Sequence, residues 1–140
     1  MLELPTDVHT AMVAHALRGF PNEACGLFAA KPGTARVERF FPMTNAAASS
    51  QIYRLDGKEM LAVEREAEAA GLEIIGVMHS HTHTSAYPSP TDVRDAEFSD
   101  PFGMWHFVIV SLKHDHPALR SFRILDGTIT EEPVVLVERT

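Results

Sequence analysis

Two segments of the chain carry apolar residues at helical spacing. Near the N-terminus, Thr6 is a candidate N-cap for a helix over residues 7–18. The second segment, residues 56–70, has one apolar stripe at intervals of three and four residues, formed by Met60, Val63, Ala67 and Ala70. Charged residues cover the rest of this segment, so the pattern predicts an amphipathic helix that ends at Gly71.

The other apolar runs are short and bounded by turn residues, which is typical of β-strands. Strands are predicted at residues 24–31, 35–43, 52–55, 73–80, 105–112, 119–125 and 129–137. Turns at Pro32-Gly33 and Asp126-Gly127 join two pairs of them, and a short helix is expected to start near Ser89. This order of elements predicts a mixed α+β or α/β sandwich, with helices packed on one central sheet.

Length and charge exclude several classes of protein. The chain has 140 residues, and we expect a single domain over residues 1–140. A formal net charge of −7 without a basic run disfavours a nucleic-acid partner and a polybasic membrane anchor. The sequence contains neither a run of about 18 apolar residues nor a secretory signal, so we expect a cytoplasmic protein.

One cysteine stands against eight histidines, and this imbalance bears on the possible chemistry. A single cysteine excludes an internal disulfide and a cysteine-rich zinc site. His79 and His81 end the predicted strand 73–80, where alternate residues share a face and lie about 6.5–7 Å apart. Two imidazoles so placed can converge on one metal ion. Polar residues at a strand end are also common in ordinary loops, so the pair alone leaves both interpretations open.

A second motif, Ser89-Pro90-Thr91-Asp92, follows shortly afterwards. It is typical of a helix start, with Ser89 as N-cap and Asp92 near the positive end of the helix. The same helix start would fix Asp92 as a candidate third metal ligand, leaving one tetrahedral position for water as in catalytic zinc sites. Glu23, just before strand 24–31, is a candidate base, and otherwise an exposed loop carboxylate.

Taken together, these residues match the signature of the JAMM (MPN-plus) metalloproteases. The signature reads Glu, then HxH, seven residues and SxxD, and each element is present at the required spacing. Longer stretches, among them PNEACGLFA, HSHTHTSAYPSPTD and RSFRILDGTITEEPV, resemble the small bacterial and actinobacterial Mec-type peptidases. The resemblance implies a mixed sheet flanked by helices, similar to cytidine deaminases. It also implies release of cysteine from the C-terminal Gly-Gly of a ubiquitin-like sulfur carrier protein.

The resemblance assigns a role to each matched residue. His79, His81 and Asp92 would hold Zn²⁺. Glu23 would be the general base toward the zinc-bound water and then the proton donor to the leaving amine. Ser89 would donate a hydrogen bond to the carbonyl oxygen as it becomes an oxyanion. His83 has no role in the signature, and we expect it at the rim of the site.

Other interpretations stay open at this point. Cys25 is a possible thiol nucleophile, although its apolar neighbours favour burial. A catalytically silent MPN scaffold would lack one or more ligands, and here none is missing. The same chemistry can trim a short C-terminal extension to expose the carrier's Gly-Gly end. A nucleobase deaminase is disfavoured because its signature needs two cysteines. We expect His106 in the core, the alternative being a contact with the site from a neighbouring strand. His114 and His116 beside Asp115 resemble a second metal cluster, but we expect them in a turn.

Overall fold

In the computed structural model, which describes residues 1–139, the elements follow the order β1 (Leu2–Pro5), α1 (Thr6–Gly19), β2 (Cys25–Ala30), β3 (Val37–Met43), α2 (Gly57–Ala69), β4 (Glu73–His81), α3 (Pro90–Ser99), β5 (His106–Ser111), β6 (Ala118–Leu125), β7 (Thr128–Glu132) and β8 (Val134–Val137). The main sheet has six strands in the order β3-β2-β4-β5-β6-β7, and β1 pairs with β8. Only β4 and β5 are parallel within the main sheet. Long apolar strands therefore lie at its centre, as parallel pairing requires.

Helices cover both faces of this sheet, and the alternation of side chains along β4 decides which residues each face receives. Met78 packs in the cluster that includes Met12 and Ala16 of α1. Val77 packs in the other cluster, with Val63 of α2 and Ala96 of α3. His79 and His81 follow Val77 by two and four residues, so their side chains lie on the same face of β4 as Val77. The two histidines at the end of β4 therefore face α3.

Gly76 allows β4 and β5 to pair at this point. A side chain at this position would overlap the carbonyl oxygen of His106 and the ring of Phe28. Only glycine tolerates so close an approach of the neighbouring backbone. The pairing sets Gly76 opposite His106 and His79 opposite Ile109.

The predicted mixed sheet flanked by helices is confirmed, as are the two long helices and the short one after Ser89. The strand β1 at the N-terminus is not among the predicted strands. Leu2 and Leu4 are fully buried in β1, whose short length gives little periodic signal. That residues 1–140 form one domain stays a prediction. Among residues 1–139, none of the helices has the length and hydropathy needed to span a membrane.

Three local predictions are wrong for identifiable reasons. Thr6 does not cap α1, because the helix begins at Thr6 itself and Pro5 occupies the N-cap position. Residues 52–55 are not part of any strand that the structure describes, and Leu55 only forms an isolated bridge with Asn45. The segment 129–137 divides at Pro133, which has no N–H for a sheet ladder. Its first part extends the main sheet as β7, and its second part pairs with β1 as β8.

Candidate active site

Three side chains of metal-ligating type meet at the carboxyl end of β4, and we call them the metal cluster: His79, His81 and Asp92. The Nε2 atom of His79 lies 3.1 Å from Nε2 of His81 and 3.2 Å from Oδ2 of Asp92. The same Asp92 oxygen lies 3.1 Å from Nε2 of His81. Ligand atoms of a tetrahedral site with bonds of about 2.0–2.1 Å are separated by about 3.3 Å. The triangle therefore suits a metal ion.

The capping box of α3 orients the carboxylate of this cluster. The backbone N–H of Asp92 donates to Oγ of Ser89 at 3.1 Å, and the N–H of Ser89 donates to Oδ2 of Asp92 at 2.9 Å. Burial would raise the pKa of Asp92, but the two histidines and the Ser89 N–H hold this pKa below its usual range. Asp92 is therefore an ionised ligand held at a helix start.

Different interactions hold the two histidine rings. Nδ1 of His81 donates to the carbonyl oxygen of Ser85 at 2.8 Å, which leaves Nε2 as the ligand atom. Nδ1 of His79 is buried, and within the described part of the chain it has no hydrogen-bond partner. Instead, the ring of Tyr53 stacks on His79, with centroids 4.4 Å apart and planes at 22°. Packing, not a second hydrogen bond, therefore orients His79.

Tyr53 belongs to this site, and the sequence pattern does not reveal it. Its segment has the pattern of a short strand, where an aromatic residue needs no special role. In the sequence, Tyr53 is only an aromatic residue between the Glu23 segment and the HxH motif. Aromatic residues are common in loops, so this position does not predict a role in the site. The contact depends on the loop after β3 folding back over the end of β4, where Oγ1 of Thr82 donates to the carbonyl oxygen of Ser50 at 3.1 Å.

Glu23 lies beside the metal cluster and is buried, with 6% of its surface exposed, so the exposed-loop alternative is wrong. Its N–H donates to the Ser49 carbonyl oxygen at 2.8 Å, and its own carbonyl accepts from the Asn45 amide at 2.9 Å. Burial raises the pKa of Glu23 to about 7, His81 opposes this increase and Asp92 adds to it. A carboxyl group with such a pKa can accept and return a proton near neutral pH.

Ser89 serves as the helix cap, and this does not conflict with a catalytic role. Its Oγ accepts the Asp92 N–H, and a hydroxyl that accepts one bond still has its O–H to donate. His83 is exposed and makes an edge contact with the Phe20 ring at 6.1 Å between centroids, which agrees with a rim position. His106 is buried at the start of β5, as expected for a core histidine.

Cys25 does not have the surroundings of a nucleophile. Its thiol is buried and donates to the Thr44 carbonyl oxygen at 3.5 Å. Burial raises the pKa of Cys25 to about 12, and the nearby carboxylates of Glu59 and Glu23 act in the same direction. A thiolate is strongly disfavoured at neutral pH under these conditions, so the structure gives no support to a thiol mechanism.

One groove of about 440 Å³ adjoins the site, and a second of the same volume lies at the end of α1. The apolar groove lies between residues 52–55, α2 and α3, and Tyr53 separates it from His79. The second groove lies where α1 ends and β2 begins, and Glu23 is among the residues that line it.

Comparisons with known proteins agree with this geometry. The chain is 49% identical over 140 residues to the CysO-cysteine peptidase of Mycobacterium tuberculosis, covering 99% of this chain and 93% of that protein. It is 32% identical over 102 residues to the desampylase of Haloferax volcanii, covering 69% of this chain and 73% of that protein. The solution structure of a Desulfitobacterium hafniense protein matches with a TM-score of 0.89 and 33% identity, covering 99% of this chain and 94% of that one. The family model described as prokaryotic homologs of the JAB domain matches residues 5–125, and the chain therefore belongs to this JAB family.

Proposed function

We propose that this chain is a zinc metallopeptidase that hydrolyses the amide bond after the C-terminal Gly-Gly of a ubiquitin-like sulfur carrier and releases cysteine. The observation that carries the proposal is the convergence of three ligand atoms at 3.1–3.2 Å beside the buried side chain of Glu23. The similarity to a CysO-cysteine peptidase over nearly the whole chain supports the choice of substrate.

We assign the metal ligands to His79, His81 and Asp92. Two imidazole nitrogens and one carboxylate oxygen form a donor set that suits Zn²⁺, and a set of three leaves a coordination position open. When bound, the ion supplies Lewis-acid activation of water and of the scissile carbonyl group.

Glu23 and Ser89 would then carry out the proton transfer and charge stabilisation. Glu23 accepts a proton from the water whose oxygen bonds to the glycine carbonyl carbon. As the carbon–nitrogen bond breaks, Glu23 returns this proton to the nitrogen of the leaving cysteine. The water oxygen remains in the new glycine carboxyl group, which releases its own proton to solvent and becomes a carboxylate. The O–H of Ser89 donates to the carbonyl oxygen while negative charge develops there.

The apolar groove is our candidate for the carrier's C-terminal tail. Its walls, which include Tyr53, Val77, Phe98 and Trp105, offer apolar surface that an extended glycine-rich segment can cross. We further propose that the reaction takes place in the cytoplasm, and the unpaired buried Cys25 is compatible with a reducing compartment. Cell fractionation with an antibody against the chain tests this location.

Incubation of the zinc-loaded protein with a carrier–cysteine conjugate tests the proposal. We expect mass spectrometry to show loss of one cysteine residue, inhibition by a chelator, and recovery on addition of Zn²⁺. Alkylation of the protein with a thiol reagent, which is removed before the conjugate is added, should leave the rate unchanged. Activity that survives complete metal removal, or no hydrolysis by metal-loaded protein, would contradict the proposal, and the second result would favour a silent scaffold.

A second conjugate class belongs in the same experiment, because the chain is also similar to a desampylase. A carrier joined to a lysine side chain of another protein distinguishes a deconjugating enzyme from a carrier–cysteine hydrolase. A carrier with a short C-terminal extension tests the trimming activity. The mass that each substrate loses identifies the leaving group.

A further inference from the structure

Large apolar side chains that contact solvent are concentrated at the end of α3 and in the loop that follows it. Phe98, Phe102 and Met104 have 88%, 81% and 70% of their surface exposed, more than any other large apolar side chain over residues 1–139. We call these three residues the apolar ridge. Scattered exposed apolar residues are common on proteins, but a group of them within one short segment is typical of an interaction surface.

The loop that carries the ridge is fixed by hydrogen bonds. The carboxylate of Asp100 is buried, and it accepts from the backbone N–H groups of Met104 and Trp105 at 2.8 and 2.9 Å. The carbonyl oxygen of Gly103 accepts from the guanidinium of Arg123 at 2.9 Å. The ridge is therefore displayed by an ordered loop, so a partner that covers it would lose little free energy in ordering the loop.

The ridge stands where the apolar groove ends. Thr91, next to Asp92 of the metal cluster, lines one end of this groove, and Phe98 and Trp105 line the other end. Between Asp92 and Phe98, α3 rises by about 9 Å, which about three extended residues of a tail can span. A carrier whose terminal glycine lies at the metal cluster would therefore leave the groove beside the ridge, and its folded domain would begin there.

Acidic side chains surround this part of the surface. Asp95 lines the apolar groove, and Glu97 and Asp126 line a cavity between the end of α3 and the turn after β6. All three are exposed, and within residues 1–139 none of them belongs to an ion pair. A partner surface with basic side chains around an apolar centre would complement this arrangement.

We propose that the apolar ridge binds the folded domain of the carrier, at an apolar patch bordered by basic side chains, while the carrier's C-terminal tail lies in the apolar groove. The inference rests on the proposed function and deepens it, because such a contact lets the enzyme prefer a whole carrier over a short peptide with the same C-terminus. Phe102 and Met104 do not line the groove, so their contribution is separable from binding of the tail.

Two substrates with the same scissile bond test the inference. One is CysO ligated through its terminal glycine to cysteine, the conjugate for which the mycobacterial relative is named. The other is a synthetic peptide with only the C-terminal tail of CysO, ligated to cysteine in the same way. We expect kcat/KM to be at least about tenfold higher for the whole conjugate, since an aromatic anchor in an interface commonly contributes that much. Added salt should lower kcat/KM for the whole conjugate and leave the peptide unaffected.

Substitutions on two faces of the molecule separate docking from structure. Phe102→Ser should remove most of the difference between the substrates by raising KM for the whole conjugate, and should leave the peptide unchanged. Met104→Ser should act in the same direction with a smaller effect. Leu17→Ser removes an exposed apolar side chain from α1, on the opposite face of the sheet, and should change neither substrate.

The outcomes distinguish this inference from the proposed function. Equal kcat/KM for the two substrates in the wild-type protein, or equal losses on both in Phe102→Ser, overturns the inference and leaves the proposed function in place. Analytical ultracentrifugation tests whether a second copy of the chain covers the ridge, and a dimer that Phe102→Ser dissociates also overturns the inference. Equal salt dependence for the two substrates overturns the charge complementarity. Hydrolysis of neither substrate overturns the proposed function and this inference with it.

Discussion

The metal cluster and a second polar cluster at the start of β5 are built from similar side chains. This β5 cluster consists of His106, Ser121 and Glu132, all of them buried. Nδ1 of His106 donates to Oε2 of Glu132 at 2.6 Å, and the Ser121 hydroxyl donates to the same oxygen at 2.7 Å. Each contact there joins a donor to an acceptor. In the metal cluster, two Nε2 atoms and one carboxylate oxygen instead face one another, and each can offer a lone pair to a cation.

The difference shows that burial of histidine and carboxylate does not by itself make a metal site. Three ligand atoms must converge, and within residues 1–139 only the metal cluster achieves this. The parallel pairing of β4 and β5 keeps the two clusters apart. His79 lies opposite Ile109, three residues from His106 along β5, which corresponds to about 10 Å. One cluster is available for chemistry and the other stabilises the sheet.

The largest effect is expected when the glutamate beside the metal cluster is substituted, and the glutamate of the β5 cluster provides the control. Glu23→Gln should lower kcat/KM for the carrier–cysteine conjugate by about 10²–10⁴-fold, because an amide cannot accept and return the proton. Bound zinc, measured by mass spectrometry of the intact protein, should be unchanged. Glu132→Gln, the matched variant in the β5 cluster, should leave kcat/KM near the wild-type value. Comparable losses of activity in both variants would remove the functional distinction between the clusters.

The two serines, one in each region, allow a second comparison. Ser89→Ala should lower kcat by about 10²–10³-fold through loss of an oxyanion donor, and should destabilise the fold by about 1 kcal/mol through loss of the helix cap. Ser121→Ala should cost about 1–3 kcal/mol of unfolding free energy with little change in kcat, because Glu132 loses a buried donor. Urea denaturation and steady-state kinetics measure both quantities. A Ser89→Ala variant that loses stability and keeps its kcat would leave Ser89 with the capping role alone.

Tyr53 offers a test of how the metal cluster is held. Tyr53→Leu should weaken zinc binding by about tenfold, since the stacked ring orients a ligand whose Nδ1 has no hydrogen bond in the described residues. Tyr53→Phe keeps the ring and should bind zinc as the wild-type protein does. Competition with a chromophoric chelator measures the affinity. Equal affinities for the leucine and phenylalanine variants would show that the stack does not support the ligand.

The β5 cluster should control stability in acid and leave activity unaffected. Burial alone would raise the pKa of Glu132, but hydrogen bonds from His106 and Ser121 lower it to about 2, and the N-terminal ammonium 3.2 Å from Oε1 acts in the same direction. The unfolded-state pKa is near 4.3, so the carboxylate stabilises the fold above that pH and loses its contribution as the pH falls toward 2.

The size of this effect can be isolated by substitution. Between pH 5 and pH 2.5, the wild-type protein should lose on the order of 2 kcal/mol more unfolding free energy than Glu132→Gln. Urea denaturation of both proteins at the two pH values measures the difference. Parallel pH dependence in the two proteins would show that Glu132 is not the responsible group.

Most elements of the fold could be predicted from local patterns, because helix and strand periodicity and turn residues act over a few neighbours. The failures involve partners distant in the chain. β1 is stabilised by β8, more than a hundred residues away, and the segment after β3 is held by the Asn45 side chain instead of a sheet ladder. Neither partner can be inferred from periodicity.

The sequence by itself determined the chemical identity of the candidate site. His79, His81, Ser89 and Asp92 are contained in one strand, one loop and one helix start, so their types, order and spacing are evident from the sequence alone. Only the tertiary structure decided that their ligand atoms converge, that Glu23 is buried beside them, and that Tyr53 borders the site from another segment. These facts depend on packing between segments distant in the chain, and packing energies are not encoded in any short stretch of residues.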